Sequence, residues 1–387
     1  MKSVYLTVSG IGLGHAGRSL KIGERLAREG YKITFSSYGE AVAYISSRFP
    51  CIRVPEMRLG WRSFGGLSLR ETSKFLLKRA LFNFLKQIII ELRTIRKINP
   101  QLVYSDSRGS SLIAAKILRK NSILLTNQLS SFLPEQKTGK IFISLSNKLS
   151  PIIMPRIWNL AKVICVNDLP PPYSISKRNL RARIKRKKVK FIGLIGNLES
   201  REENTFRSIS NHFRRKRSII YVSATGPKEE RERFASKMLD IIPKIREYNF
   251  VMTLGDLRRK DFSYKGENFI VYGWFSNRDV LISAADVIIS RAGRATIDEC
   301  ILRCKPMIII PSIRQTEQEE NARRVKELGL GEMIYEGNLN VRNVRGMLEK
   351  IFSDYNSYLK REERLRRVSD ELGGIDTIVE LIREFTQ

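Results

Sequence analysis

The segment from residue 285 to residue 322 constrains the fold of this chain more than any other. An apolar run at residues 286–290 leads into the small turn residues Ala292-Gly293 and then into a helix-like segment. A second apolar run, at residues 307–310, ends at Pro311 before a polar helix start. Two strands that each lead through a loop into a helix predict a parallel α/β unit.

The turn at Gly293 predicts a binding site for an anion. In parallel sheets, ligands collect at the carboxyl ends of the strands. The first backbone N–H groups of a helix have no partner inside the helix, so a helix that begins after Gly293 suits a phosphate group. An ordinary βα turn with a capped helix gives a similar local pattern. The spacing of the polar residues must therefore decide between the two interpretations.

That spacing reads Arg291-x-Gly293-x-x-Thr296-x-x-Glu299, followed by Gln318-x-x-Asn321. It resembles the donor-nucleotide motif of the MurG-type glycosyltransferases, two-domain GT-B enzymes that move a sugar from a UDP-sugar onto a lipid-linked acceptor. The resemblance implies that Glu299 binds the ribose, that the helix start holds the diphosphate, and that Gln318 contacts the sugar. The donor-binding residues that it implies are Thr225, Phe275, Arg291, Gly293, Arg294, Ala295, Thr296, Glu299, Gln318 and Asn321.

A second glycine-rich turn follows the first predicted strand, residues 2–9. Its Gly12-x-Gly14-x-x-Gly17 pattern satisfies the dinucleotide-binding fingerprint. That fingerprint also needs an acidic residue at the end of the next strand, but residues 31–37 end in two serines. A dehydrogenase is therefore weakly supported. The glycines equally allow a backbone loop to approach a substrate diphosphate.

The histidine in this turn is a candidate general base. Gly14-His15 resembles the Gly-Gly-His element of the MurG-like enzymes, which implies that His15 lies near the reacting centre and that Gly12, Gly14 and Arg18 form an acceptor or diphosphate loop. A histidine with a pKa near 6.5 can accept a proton from a hydroxyl group. Asp106 follows a predicted strand and is the second candidate catalytic residue. It would position the acceptor or His15, or else only cap a helix.

The charge of the chain points to an anionic partner. The sequence has 70 Lys+Arg and 39 Asp+Glu residues, a formal net charge of +31. Nucleic acid, an anionic membrane surface and phosphorylated substrates all fit such a balance. The long helix predicted at residues 71–99 has a wide apolar face and a basic remainder, which suits a membrane interface, although covering the N-terminal sheet would also use apolar residues. The basic block at residues 178–190 suits a linker or a polyanion. No nucleic-acid-reading module is visible, so no specific nucleic acid is expected.

Neither a membrane span nor a metal site is expected from the sequence. No run of 18 apolar residues and no signal peptide is visible, so we expect a cytoplasmic protein associated peripherally with the membrane. Cys300 and Cys304 share a helix face, but two histidines in the whole chain make a zinc site improbable. There is no Asp-x-Asp pair to hold a metal against UDP. We expect no cofactor beside the UDP-sugar co-substrate, with Arg291, Arg294 and helix N–H groups meeting the charge of the leaving group.

A chain of 387 residues exceeds the size of a single core, so two domains are expected. We predict an α/β fold with two Rossmann-like domains facing each other across a cleft (GT-B). Residues 1–195 form an acceptor- and membrane-facing domain, residues 196–354 bind the nucleotide-sugar, and residues 355–387 form a helix that packs back on the first domain.

The resemblance implies an inverting, metal-independent transfer of a hexose or N-acetylhexosamine, foremost N-acetylglucosamine, from a UDP-sugar to a polyprenyl-linked acceptor at the cytoplasmic membrane face. A UDP-N-acetylglucosamine 2-epimerase-like enzyme is an alternative, but it needs more acidic and histidine catalysts. A non-catalytic basic protein that binds membranes or nucleic acid is another alternative, and it would not need Glu299 or Gln318.

Overall fold

The structure is a computed structural model that describes residues 2–11, 13–56, 74–132, 140–180, 182, 184–196, 213, 217–259 and 262–387. These residues form two compact units. The N-terminal unit contains the described residues up to Ile195 together with Ser369–Gln387, and the C-terminal unit contains those from Gly196 to Val368.

The N-terminal unit is built on a parallel sheet with the strand order β3-β2-β1-β4-β5-β6-β7. The strands are β1 (Ser3–Val8), β2 (Lys32–Ser37), β3 (Cys51–Arg53), β4 (Leu102–Asp106), β5 (Asn121–Thr126), β6 (Val163–Val166) and β7 (Val189–Phe191). The helices are α1 (Gly14–Arg28), α2 (Glu40–Ser46), α3 (Lys74–Ile98), α4 (Gly109–Ile117) and α5 (Lys140–Trp158).

The central strands of this sheet are buried almost throughout because helices cover both of their faces. In β1, Leu6 and Val8 belong to a core that includes Leu20 of α1, whereas Tyr5 faces a second core with Ile95 of α3. Alternate residues of one strand thus enter two cores, and both exclude water.

The C-terminal unit has a sheet with the strand order β10-β11-β9-β8-β12-β13-β14, parallel except for the antiparallel edge strand β10. The strands are β8 (Ile219–Ser223), β9 (Asn249–Thr253), β10 (Ser263–Lys265), β11 (Phe269–Tyr272), β12 (Val287–Arg291), β13 (Met307–Ile310) and β14 (Gly331–Met333). The helices are α6 (Lys228–Ile241), α7 (Arg278–Ala284), α8 (Arg294–Leu302), α9 (Thr316–Glu327), α10 (Val341–Ser353) and α11 (Tyr355–Leu372). Two parallel α/β units, as predicted, are confirmed.

The end of the chain differs from the prediction of one helix over residues 355–387. Helix α11 ends at Leu372, and a separate helix, α12 (Gly374–Thr386), follows. Gly373 and Gly374 have φ angles of 79° and 52°, in the left-handed region where glycine is favoured and a helix cannot continue. The chain therefore joins the N-terminal unit from Ser369 onward, where Ile378 and Ile382 of α12 enter the same core as Leu20.

Candidate functional site

The candidate site of the N-terminal unit lies where its strand order reverses. Strand β1 pairs with β2 on one side and with β4 on the other, and the chain continues outward from β4 to β5. The loops after β1 and β4 therefore diverge, which leaves a crevice at the carboxyl ends of these two strands. His15 lies in the first turn of α1, directly after the loop from β1, and Asp106 is the last residue of β4.

The structure brings His15 and Asp106 together. Asp106 is fully buried and accepts hydrogen bonds from His15 Nδ1 at 2.8 Å, from Arg18 Nε at 2.7 Å and from Ser19 Oγ at 2.9 Å. Arg18 Nη2 donates to the same carboxylate and lies 2.9 Å from His15 Nδ1. Burial alone would raise the pKa of Asp106, but the neighbouring Arg18 and His15 hold it well below its usual range. Asp106 is thus an anion that shares its charge with two side chains of α1.

This geometry favours one of the roles predicted for Asp106. Its carboxylate is buried and bonded to His15, and helix α4 begins after Arg108 without a side-chain cap, so the contacts fit orientation of His15 better than acceptor binding or helix capping. Because an ionised carboxylate only accepts, the hydrogen of the shared bond sits on His15 Nδ1. Within the described part of the chain, no hydrogen-bond partner of His15 Nε2 is found, so this nitrogen can serve as an acceptor.

The remaining residues of the predicted acceptor loop have different positions. Gly14 is the exposed first residue of α1, whereas Gly12 lies outside the described residues. Arg18 is buried and forms a two-pronged contact with Asp106. The guanidinium of Arg18 points to Asp106 inside the protein, and its contact with a diphosphate stays a prediction.

The candidate site of the C-terminal unit also lies at a reversal of strand order. Strand β8 pairs with β9 on one side and with β12 on the other. The strands that follow β9 and those that follow β12 are added at opposite edges of the sheet. The loop after β8, which contains the half-buried Thr225, and the loop after β12 therefore meet at one crevice. Gly293 precedes α8, and a Cβ atom placed on it would meet nothing within 4 Å. The space before the first turn of α8 is open, which leaves room for an anion at its N–H groups.

Glu299 lies one turn further along α8, with a side chain only 11% exposed. Arg278, at the start of α7, donates from Nη2 to Glu299 Oε2. Burial would lower the pKa of Arg278, but Glu299 raises it above its ordinary value. Sequence reasoning missed this arginine, because Asn277-Arg278 reads as an ordinary helix start. Arg278 lies 21 positions from Glu299, and this spacing does not match a pattern that would predict their contact.

The two arginines predicted to meet the diphosphate do not reach the open space. Arg291 is 1% exposed and donates from Nη2 to Glu336 Oε2 at 2.6 Å, and its guanidinium lies over the ring of Phe234. Arg294 is 5% exposed and donates to Asp298 Oδ1 at 2.7 Å, one turn along the same helix. Buried carboxylates hold both side chains inside the unit, and their role at the diphosphate stays a prediction.

The predicted amides support the loops around the open space. Gln318 Oε1 accepts a hydrogen bond from the Ser312 backbone N–H at 2.9 Å, and Asn321 Nδ2 donates to the Ala292 carbonyl at 3.0 Å. Asn321 thus fixes the turn that precedes α8. The other predicted residues lie nearby in sequence or on the next loop: Ala295 and Phe275 are half-buried, and Thr296 is buried.

A metal site is not visible in the described residues, where no group of three or more His, Cys, Asp or Glu side chains is placed to hold a metal ion.

Comparisons with known proteins agree with this fold. Residues 227–371 match the glycosyltransferase family 28 C-terminal domain. A glycosyltransferase of Methanosarcina acetivorans is 26% identical over 98% of both chains. The UDP-N-acetylglucosamine–N-acetylmuramyl-(pentapeptide) pyrophosphoryl-undecaprenol N-acetylglucosamine transferase of Thermosipho africanus is 33% identical over 131 residues, which are 33% of this chain and 37% of that protein. The crystal structure of Acinetobacter baumannii MurG superposes with a TM-score of 0.59 at 15% identity, covering 99% of this chain and all of that one.

Proposed function

Because this chain is a MurG-like glycosyltransferase of the GT-B type, we propose that it transfers a hexose or N-acetylhexosamine from a UDP-sugar to a polyprenyl-linked acceptor, with inversion. N-acetylglucosamine is the first candidate sugar, since it is the sugar named for the Thermosipho relative. The observation that carries the proposal is the open helix start at Gly293, six residues before Glu299 and at the switch point of its sheet.

In this proposal the C-terminal unit binds the donor. The first N–H groups of α8 hold the diphosphate, and the positive end of the helix stabilises the charge that grows on the leaving UDP. Glu299 accepts hydrogen bonds from the ribose hydroxyls, and Arg278 fixes its carboxylate. Phe275 contacts Tyr272 edge-on with a ring separation of 5.0 Å and borders the region for the uracil base of UDP.

The N-terminal unit supplies the general base of the reaction. His15 Nε2 takes the proton of the acceptor hydroxyl while the hydroxyl oxygen attacks the anomeric carbon and the bond from that carbon to the diphosphate breaks. His15 becomes an imidazolium, with Nδ1–H still bonded to Asp106. A base in this position contributes typically about 10²–10⁴-fold to the rate.

Replacing Glu299 with alanine tests the donor site. A hydrogen bond to a charged group contributes about 1.5–3 kcal/mol, so we expect UDP to bind about ten- to a hundredfold more weakly to Glu299→Ala than to the wild type. Calorimetry with EDTA present measures both the affinity and its independence of metal. The exposed Glu349 of the same unit provides the control, because Glu349→Ala should bind UDP normally. Unchanged affinity in Glu299→Ala, or strict dependence on Mg²⁺, would contradict the assignment.

A basic and apolar surface suits the lipid acceptor. Helix α3 exposes Leu81, Phe82, Leu85 and Ile89, each between 47% and 60%. Residues 74–198 contain 25 Lys+Arg but four Asp+Glu, of which Glu91, Asp106 and Asp168 are buried. No described helix has the length and apolarity to cross a bilayer. We infer that the N-terminal unit docks peripherally on the anionic cytoplasmic face of the membrane, with the apolar face of α3 against the lipid.

A vesicle assay tests this docking. The variant Leu81→Ser/Phe82→Ser should bind vesicles that contain anionic lipid at least tenfold more weakly than the wild type, because it removes apolar area that would enter the interface. Binding should rise with the anionic lipid fraction and fall with salt. Phe262→Ser, which changes an exposed aromatic residue of the C-terminal unit, is the matched control. Equal vesicle binding by both variants, or tighter binding of the wild type to duplex DNA at the same salt, would count against membrane docking.

The reaction itself is tested by a donor screen. UDP-, GDP- and dTDP-sugars are incubated with the enzyme and with total polar lipids, and released nucleotide is measured. We expect UDP release that depends on added lipid and is fastest with UDP-N-acetylglucosamine. Conversion of UDP-N-acetylglucosamine to its 2-epimer without lipid would favour the epimerase alternative.

A further inference from the structure

Arg18 is placed to control the charge around His15. It follows His15 by one helical turn, so both side chains project from the same face of α1 toward Asp106. Arg18 Nε donates to Asp106 Oδ2 at 2.7 Å, and Nη2 donates to Oδ1, the oxygen that His15 also contacts. A planar guanidinium that bonds both oxygens of a buried carboxylate is the strongest form of this ion pair.

The surroundings leave few other charges to act on His15. From β4, Asp106 faces the imidazole, and the buried Tyr104 adjoins the Asp106–Arg18 pair as a neutral phenol, because burial raises its pKa well above the ordinary value. From α1, Arg18 and the uncharged Ser19 face Asp106. Among the described residues, the charged groups in contact with the His15 ring are therefore one aspartate and one arginine.

The proposal rests on His15 being the base of the transfer. We propose that Arg18 is a positioning residue that sets the pH range in which His15 is an active base, by neutralising the charge of Asp106. With aspartate alone beside it, the imidazolium would be stabilised by a full counter-charge and would hold its proton tightly. With Arg18 present, the Asp106–Arg18 pair is neutral as a whole. Loss of Arg18 should therefore make the imidazolium hold the acceptor's proton more tightly after transfer.

Arg18 also fixes the orientation of the Asp106 carboxylate. Its two bonds prevent the Asp106 carboxylate from rotating, and the carboxylate in turn holds His15 Nδ1–H. A variant that loses the two-point contact with Asp106 but keeps the positive charge should therefore behave differently from a variant that loses both. Arg18→Lys keeps a cation but not the two-point contact, whereas Arg18→Met removes the charge and keeps a flexible side chain of similar length.

Two measurements test the proposal. The first is the pH profile of turnover over KM. We expect its acid limb to move to higher pH by about one unit or more in Arg18→Met, since the buried aspartate then acts on His15 without compensation. In Arg18→Lys the limb should move by less than half of that shift, while turnover falls. Arg25→Met, which changes a half-exposed arginine of the same helix, should leave the profile unchanged.

The second measurement does not require activity. In a His212→Gln background His15 is the only histidine, so its imidazole titration can be followed by NMR. The titration midpoint should rise in Arg18→Met and return toward the wild-type value in Arg18→Met/Asp106→Asn, where both charges are gone. Should Arg18→Met fail to fold, Arg18→Gln allows the same comparison. A midpoint that does not move in any folded variant would overturn the proposal. A moved midpoint in a protein without transfer activity would instead overturn the proposed function, and it would leave standing only the effect of the Arg18 charge on His15.

Discussion

Replacing His15 with alanine is expected to lower turnover by about 10²–10⁴-fold, the usual contribution of a general base, while the affinity for UDP should stay within about twofold. The reason is that His15 lies at the switch point of the N-terminal sheet, whereas Gly293 and Glu299 lie at that of the C-terminal sheet. Single-turnover rates with saturating donor and acceptor give the chemical step, and calorimetry gives the UDP affinity.

The sequence provides a matched control for this experiment. His212 is the only other histidine, and His212→Ala should retain normal turnover. Asp106→Asn should lower turnover as well, because an amide in place of the carboxylate no longer selects the Nδ1–H form of the imidazole. Near-normal single-turnover rates in His15→Ala would show that this histidine has a structural role.

The second large effect concerns stability. Glu91 of α3 is fully buried and forms an ion pair with the buried Arg108 at 2.5 Å, and Ser36 Oγ donates to the same carboxylate at 3.0 Å. Glu91→Ala leaves the arginine in the core without a counter-charge. We expect the N-terminal unit to lose about 3–5 kcal/mol of unfolding free energy. Urea-dependent hydrogen exchange in peptides from β1 and β4 reports this unit separately from the other.

An exposed pair in the same unit serves as the control. Glu24 and Arg48 are paired across α1 and the end of α2, with side chains 31% and 56% exposed. Such pairs contribute about 0–1 kcal/mol, so Glu24→Ala should alter exchange little. Equal effects of Glu91→Ala and Glu24→Ala would show that the buried pair does not hold α3 to the sheet.

The fold was predictable because its signals are local. Each apolar run that ends in small or polar residues and leads into a helix became a strand of a parallel sheet, and the loops after β1 and β12 were recognisable by their glycines. The adjacency of His15 and Asp106 also followed, since both were predicted at carboxyl ends of strands in one sheet. One misjudged element was the last helix, and Gly373-Gly374 was the signal that was available for its interruption.

The partners of the arginines could not be predicted in the same way. Arg18 pairs with an aspartate 88 positions away, and Arg291 pairs with a glutamate 45 positions away, so neither contact leaves a pattern in the sequence. Side-chain direction at the end of a strand depends on the completed sheet. The Arg294–Asp298 pair is different, because oppositely charged residues four apart on a helix are a readable signal. That signal favours a paired arginine over one that is available to a ligand.

The central claim is that the enzyme transfers sugar from a nucleotide to a lipid with His15 as the general base. Its most direct test uses UDP-sugars labelled in the sugar, vesicles that contain polyprenyl-phosphate-linked sugars as acceptors, and extraction of the label into the organic phase. We predict that the wild type transfers label into that phase from one UDP-sugar, and that His15→Ala does not, although it still binds UDP. Label that stays in the aqueous phase with every donor, or equal transfer by His15→Ala, would contradict the account.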